Sequence, residues 1–153
     1  PDKEFKKDVQ FYLAQARMDY GEVDKAIEVY SEILKAGEDE QAFFLRGKAY
    51  ISMEDYKNAE KDFQRALEGC EDYNLYINIY QIYVDHNKAV DGDAYLKMAL
   101  ELEPQDGEDC YHRGRIYEYE KNYEAARDEL KTAMEQGYED AMLLLGRVYL
   151  DKV

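Results

Sequence analysis

Two histidines, two cysteines and thirty-five carboxylates are the side chains here with catalytic or metal-binding potential. Their spacing decides against both uses. His86 and His112 stand far apart with no cysteine or acid at metal-ligand spacing, and each reads as a surface or groove histidine. Cys70 and Cys110 are too few and too distant for a disulfide framework or a zinc knuckle, so two reduced, mostly buried thiols are expected. The acids Glu101, Glu103, Asp106, Glu108 and Asp109 could attract a cation or a basic peptide, but they read as a solvated turn. No G-x-x-x-x-G-K loop and no H-E-x-x-H pair occurs. The expectation is a chain that is not an enzyme, with no cofactor and no metal site.

What the residues do specify is periodicity. The stretch RGKAYISMEDYKNAEKDFQRAL, residues 46–67, reads as two short amphipathic helices joined at Met53–Asp55. Gly47 and Ala59 are the small residues where the helices pass closely, and Tyr50, Tyr56 and Phe63 fill the space around that contact. Variants recur on either side. The second small position falls at Ala26, Ala59, Gly92 and Ala126, intervals of 33, 33 and 34 residues. Asp55, Asp91 and Asn122 are expected to cap second helices, and Gly37, Gly69 and Gly137 to end them in left-handed turns. The third unit is the least regular. Tyr80 occupies its first small position, where a ring should spread the helices, and HNKAVDGD (86–93) lacks the compact form of the other connections.

Composition excludes whole classes of partner. A formal charge of −15 removes general attraction to nucleic acid or anionic membranes. The longest conspicuous apolar run, Ala141 to Leu145, is far short of the roughly 18 residues a spanning helix needs. A soluble protein is expected, with a cytoplasmic location favoured. Neither end resembles a signal peptide, and the start at Pro1 without a methionine points to an excised fragment, which need not carry any targeting segment of the whole.

A helix–turn–helix unit recurring every 33 to 34 residues resembles the tetratricopeptide repeat. The matching residues are Gly47, Tyr50, Tyr56, Ala59, Phe63 and Ala66, then Gly114, Tyr117, Tyr123, Ala126 and Ala133, with Pro104 closing the third unit. Arg17 and Tyr80 depart from the pattern. The segment 138–151 equally fits the opening of a Sel1-like repeat, a close cousin. The resemblance implies an all-α, right-handed superhelical solenoid of antiparallel helix pairs, about nine helices in one repeat domain over 1–153. Its units are expected at about 7–38, 40–71, 73–104 and 107–137, with a half unit at 139–153.

The resemblance also implies an interaction scaffold that holds a peptide or partner helix along a concave face of first helices. Helical phase puts Phe11, Gln15 and Met18 on that face, then Phe44, Lys48 and Ile51, then Ile77, Gln81 and Val84. Tyr111, Arg115 and Glu118 follow, and Leu143, Arg147 and Leu150 complete it. An apolar row is thus expected beside a row of Gln15, Lys48, Gln81, Arg115 and Arg147 that contains no acid. Lys48, Arg115 and Arg147 would meet carboxylates or backbone carbonyls of the partner. Chaperone-binding relatives clamp a carboxylate with cations at set places. Those places hold Phe11, Gln15, Leu45, Asn74 and Asn78 here, or Phe44, Lys48, Asn78, Glu108 and His112, and neither set is a cationic clamp. The expected partner is a protein or peptide segment, neither nucleic acid nor membrane. Self-association through the groove or the terminal helix is the alternative.

Overall fold

The computed structural model describes residues 2–151. Pro1 and the last two positions of the expected half unit lie outside the described residues. The helices are α1 (Asp2–Asp19), α2 (Val23–Ala36), α3 (Glu40–Ser52), α4 (Tyr56–Ala66), α5 (Tyr73–Asp85), α6 (Ala89–Leu100), α7 (Gly107–Tyr119), α8 (Tyr123–Glu135) and α9 (Ala141–Asp151). No strand occurs among the described residues, so the class is all-α, as the periodicity required. The chain divides into two compact units, Pro1–Cys70 with α1 to α4 and Glu71–Val153 with α5 to α9.

One turn builds every helix pair. Its left-handed residue is Gly21, Glu54, Asn87 or Lys121, with φ of 77°, 58°, 59° and 61°. The next residue donates its N–H five positions back, Glu22 to Arg17, Asp55 to Tyr50, Lys88 to Tyr83 and Asn122 to Tyr117, at 2.8 to 2.9 Å. This is the Schellman arrangement, which satisfies carbonyls the helix end leaves open. The third connection therefore has the same compact form as the others, contrary to the sequence expectation. Asn87 takes the left-handed conformation readily because its short polar side chain can bond locally.

Caps follow mostly where they were expected. Asp55 accepts the Asn58 N–H and Asn122 that of Ala125, while Asp39, Asp72 and Asp106 cap first helices in the same way. Asp91 is no cap: α6 begins at Ala89, which leaves Asp91 inside its first turn, where a carboxylate still favours the helix dipole. Gly69 and Gly137 are left-handed at φ 67° and 86°. Gly37 is extended, with φ and ψ both 161°, so α2 does not close with a left-handed residue.

Packing within each unit rests on small residues facing large ones. In the first unit Ala14, Ala26, Tyr30, Ile33, Ala42 and Ala49 form a buried cluster joining α1, α2 and α3. A β-carbon at Gly47 would come within 2.7 Å of the Phe63 ring, which locks α3 against α4. In the second unit Cys110, Ala126, Leu130, Ala133, Ala141, Leu144 and Val148 join α7, α8 and α9. The expected spreading at Tyr80 does not occur. At Gly92 a β-carbon would sit 2.8 Å from Tyr83 Cβ and 3.2 Å from the Tyr80 carbonyl. Glycine lets the α6 backbone approach there, while the Tyr80 ring also packs on Tyr119 with centroids 5.2 Å apart.

Two largely buried ion pairs repeat the same device. Arg46 donates from Nε and Nη2 to the Asp62 carboxylate at 2.7 and 2.8 Å, and Asp62 is only 4% exposed. Arg113 donates Nε to Glu129 at 3.0 Å, and its Nη1 reaches the carbonyls of Leu100 and Leu102 at 3.1 and 3.0 Å. Each arginine lies on a first helix, and its acid lies 16 residues on, in the second helix of the pair.

Candidate functional site

The residues expected to face a partner separate by burial once each unit is inspected on its own. In the first unit Ile51 is fully buried and belongs to the core. Phe11 and Met18 are half-buried against the α1–α3 cluster, and Phe11 lies 6.4 Å from the Tyr30 ring. Phe44 is half-buried with its ring 6.1 Å from Phe63. Gln15 is exposed and donates to Asp19, and Lys48 is exposed. These side chains present little open apolar surface.

In the second unit Ile77 is 1% exposed and lies in the core, while Gln81 and Val84 on the same helix are half-buried. The next two first helices are arranged differently. Tyr111, Arg115 and Glu118 of α7 and Leu143 and Arg147 of α9 line one cleft of about 300 Å³, joined there by Tyr119, Asp140 and Leu144. A core cluster holds its back wall, with Leu144 buried in α9 and Tyr111 packed against it. Leu143 is 86% exposed, a large apolar side chain with no cover. Beyond it the open face of α9 continues through Met142, Gly146 and Leu150.

Both cations of this cleft are engaged. Arg147 grips Glu118 with two hydrogen bonds of 2.8 Å, Nε to Oε1 and Nη2 to Oε2. Arg115 donates Nη1 to Asn74 Oδ1 at 3.2 Å and to His112 Nδ1 at 3.1 Å, and its guanidinium lies 5.9 Å from the Tyr111 ring centroid. The row that looked free of acid in sequence therefore acquires Glu118, and the two arginines serve first to tie α7 to α9 and to α5.

His112 is buried at 6% exposure, not a surface or groove residue. Its Nε2 lies 3.2 Å from Asn74 Nδ2 and 3.6 Å from Glu108 Oε1. Burial, and then the Arg115 charge, hold its imidazole below the usual range, so it is neutral at pH 7. The sequence reading put it at the surface or in the groove, because no local pattern announces that Asn74 of α5 lies against its ring.

Two carboxylates precede α9: Asp140 lines the same cleft as Arg115 and Arg147, and Glu139 lines the open α9 face beside Arg147. The Tyr138 hydroxyl is pushed up in pKa, by burial first and then by the carboxylates of Glu108 and Asp140. Among the described residues no group of three or more His, Cys, Asp or Glu side chains could hold a metal ion. None of the described helices is long and apolar enough to cross a membrane.

The tetratricopeptide repeat profile matches residues 40–72 and 110–136, the second and fourth helix pairs. No curated protein matches the sequence. Among solved structures the chain is similar to YrrB, described as a TPR protein with an unusual peptide-binding site. Identity is 24%, with 94% of this chain and 76% of that one covered and a TM-score of 0.52. It is similar to MamA from Desulfovibrio magneticus RS-1 at 17% identity, covering 99% and 86%, with a TM-score of 0.55. A thermophilic TPR protein of Thermus thermophilus gives 18% identity, 94% and 81% coverage and a TM-score of 0.56. At these identities the likeness is one of fold.

Proposed function

This chain carries tetratricopeptide repeats, and from that premise we propose that it is a non-catalytic scaffold holding a peptide or partner helix on its first-helix faces. The α7/α9 cleft is the principal contact in this reading. A single observation carries it: Tyr111, Arg115, Leu143 and Arg147, equivalent positions of successive repeats, converge on one open cleft with an uncovered leucine at its edge. An apolar partner side chain would rest on Tyr111 and Leu143, where removing apolar area from water gives roughly 25 cal/mol per Å². The Arg147–Glu118 pair would offer a donor and an acceptor to the partner backbone. Phe11, Gln15, Met18, Phe44 and Lys48 form the corresponding, shallower face of the first unit.

Selection from a displayed library of random peptides tests this reading. Peptides enriched on the full chain should lose at least about tenfold in affinity for a Leu143→Glu/Arg147→Glu variant of unchanged helicity, a loss of about 1.4 kcal/mol. Failure to enrich any peptide, or equal binding by the variant, contradicts it.

A further inference from the structure

A buried imidazole joins α5 to α7. Arg115 Nη1 lies 3.2 Å from Asn74 Oδ1 and 3.1 Å from His112 Nδ1, while Asn74 Nδ2 lies 3.2 Å from His112 Nε2. A neutral imidazole has one N–H and one acceptor nitrogen. Whichever nitrogen carries the proton, the ring therefore supplies one acceptor, to Arg115 at Nδ1 or to Asn74 at Nε2. Protonation removes it. Both nitrogens become donors, and a second positive charge appears 3.1 Å from the Arg115 nitrogen.

Arg115 and Glu108 act on the ring from its own helix, and Asp72, the N-cap of α5, acts from the neighbouring one. The Tyr111 ring lies 5.3 Å away. Burial and Arg115 hold the imidazole neutral at pH 7, while the two carboxylates favour its cation. Glu108 Oε1, 3.6 Å from Nε2, is placed to receive the charged ring. Packing alone does not call for a histidine at this position. Leu45, two repeats or 67 residues earlier, fills it with an apolar side chain packed against the core of the first unit.

We infer that His112 is an acid-operated latch between the third and fourth helix pairs. Neutral, it holds Arg115 against Asn74 of α5; protonated, it expels Arg115, turns to Glu108 and releases the segment held beside Tyr111. Histidine is the side chain suited to such a switch, because its charge changes in the mildly acidic range. Arg115 lines the cleft with its guanidinium 5.9 Å from the Tyr111 ring centroid, so its displacement alters the wall on which a partner would rest. Release of a segment rests on the scaffold reading above, whereas the latch itself does not.

The test follows the His112 ring nitrogens and the side-chain N–H signals of Arg115 and Asn74 by NMR on the full chain, from about pH 8 to about pH 4. One midpoint, below 6.5, should move all three. Glu108→Gln should lower that midpoint, because a carboxylate favouring the cation is lost. His112→Gln keeps an acceptor but takes up no proton, so Arg115 and Asn74 should lose the midpoint. Glu108 is exposed, so its variant decides the matter even where His112→Gln fails to fold. A library-selected peptide without titratable side chains should bind at least about tenfold more weakly below the midpoint than above it, and less than about twofold more weakly in His112→Gln. Separate midpoints for His112 and Arg115, or an acid loss of binding that survives in His112→Gln, overturn the latch. A shared midpoint with unchanged affinity overturns the release. Failure to select any peptide contradicts the scaffold reading, and the NMR titration still decides the latch.

Discussion

Gly114 faces Leu130 so closely that a β-carbon added at 114 would lie 2.7 Å from the leucine side chain. Leu130 is fully buried and cannot withdraw. Gly114→Ala should therefore destabilise the protein despite alanine's higher helix propensity, by about 1–2 kcal/mol from overpacking. Gly146 sits in a helix of the same type with nothing over it, so Gly146→Ala should stabilise by about 0.5–1 kcal/mol. Thermal melts of the two variants measure the opposite signs. Equal shifts would mean that the close approach at Gly114 contributes nothing.

Arg113 closes a polar site between α7 and α8 that also receives the carbonyls of Leu100 and Leu102. Its side chain is 14% exposed and that of Glu129 is 22%. Arg113→Ala should cost about 3–5 kcal/mol, the range for leaving a buried charge uncompensated. Arg147→Ala removes a bidentate pair from an arginine that is 62% exposed and should cost about 0–1 kcal/mol. Denaturant titration separates the two cases by the shift of the midpoint.

Glu120 supplies the pH dependence. Burial first, and then its hydrogen bond to the Asp93 carboxylate, raise its pKa to about 7. Its Oε1 is buried without a hydrogen-bond partner. The charged groups around it are Asp93 and Lys97 on α6, with the Tyr80 and Tyr119 hydroxyls on α5 and α7. A folded pKa above the unfolded value contributes stability that is present in full below about 4.5 and lost as pH rises through about 7. His112 has the opposite sign: its lowered pKa contributes stability present above about 6.5 and lost as pH falls. The two overlap near neutrality, so single variants are needed. The melting temperature of the parent should fall relative to that of Glu120→Gln between pH 4.5 and pH 8. A constant difference over that range would contradict the shared proton.

The repeat was legible because helix pairs meet where side chains are smallest. Gly47, Ala59, Gly92, Gly114 and Ala126 mark those meetings at a fixed period, and the large residues around them follow. Asp55 and Asn122 were readable as caps because capping depends on local geometry. Asp91 misled because it is a good capping residue one turn late. The turn at Asn87 was missed because its neighbours, not its left-handed residue, break the repeat pattern. The site was less legible. Helical phase brought Tyr111, Arg115, Leu143 and Arg147 together, yet it could not tell Ile51 and Ile77, which point into the core, from Leu143, which has no neighbour over it. The pairing of Arg147 with Glu118 spans 29 residues and two helices, so no local pattern announces it. The paired arginines at 46 and 113 could have been found: each stands 16 residues before an acid, and the two are 67 residues, two repeats, apart.

The most direct test of the proposed partner-binding surface is amide chemical-shift mapping of the full chain during titration with a library-selected peptide. The account predicts shifts concentrated at Tyr111, Arg115, Leu143 and Arg147, saturating together and absent in Leu143→Glu/Arg147→Glu. Saturating shifts confined to α8 or to the first unit, with the α7/α9 cleft unmoved, would contradict it.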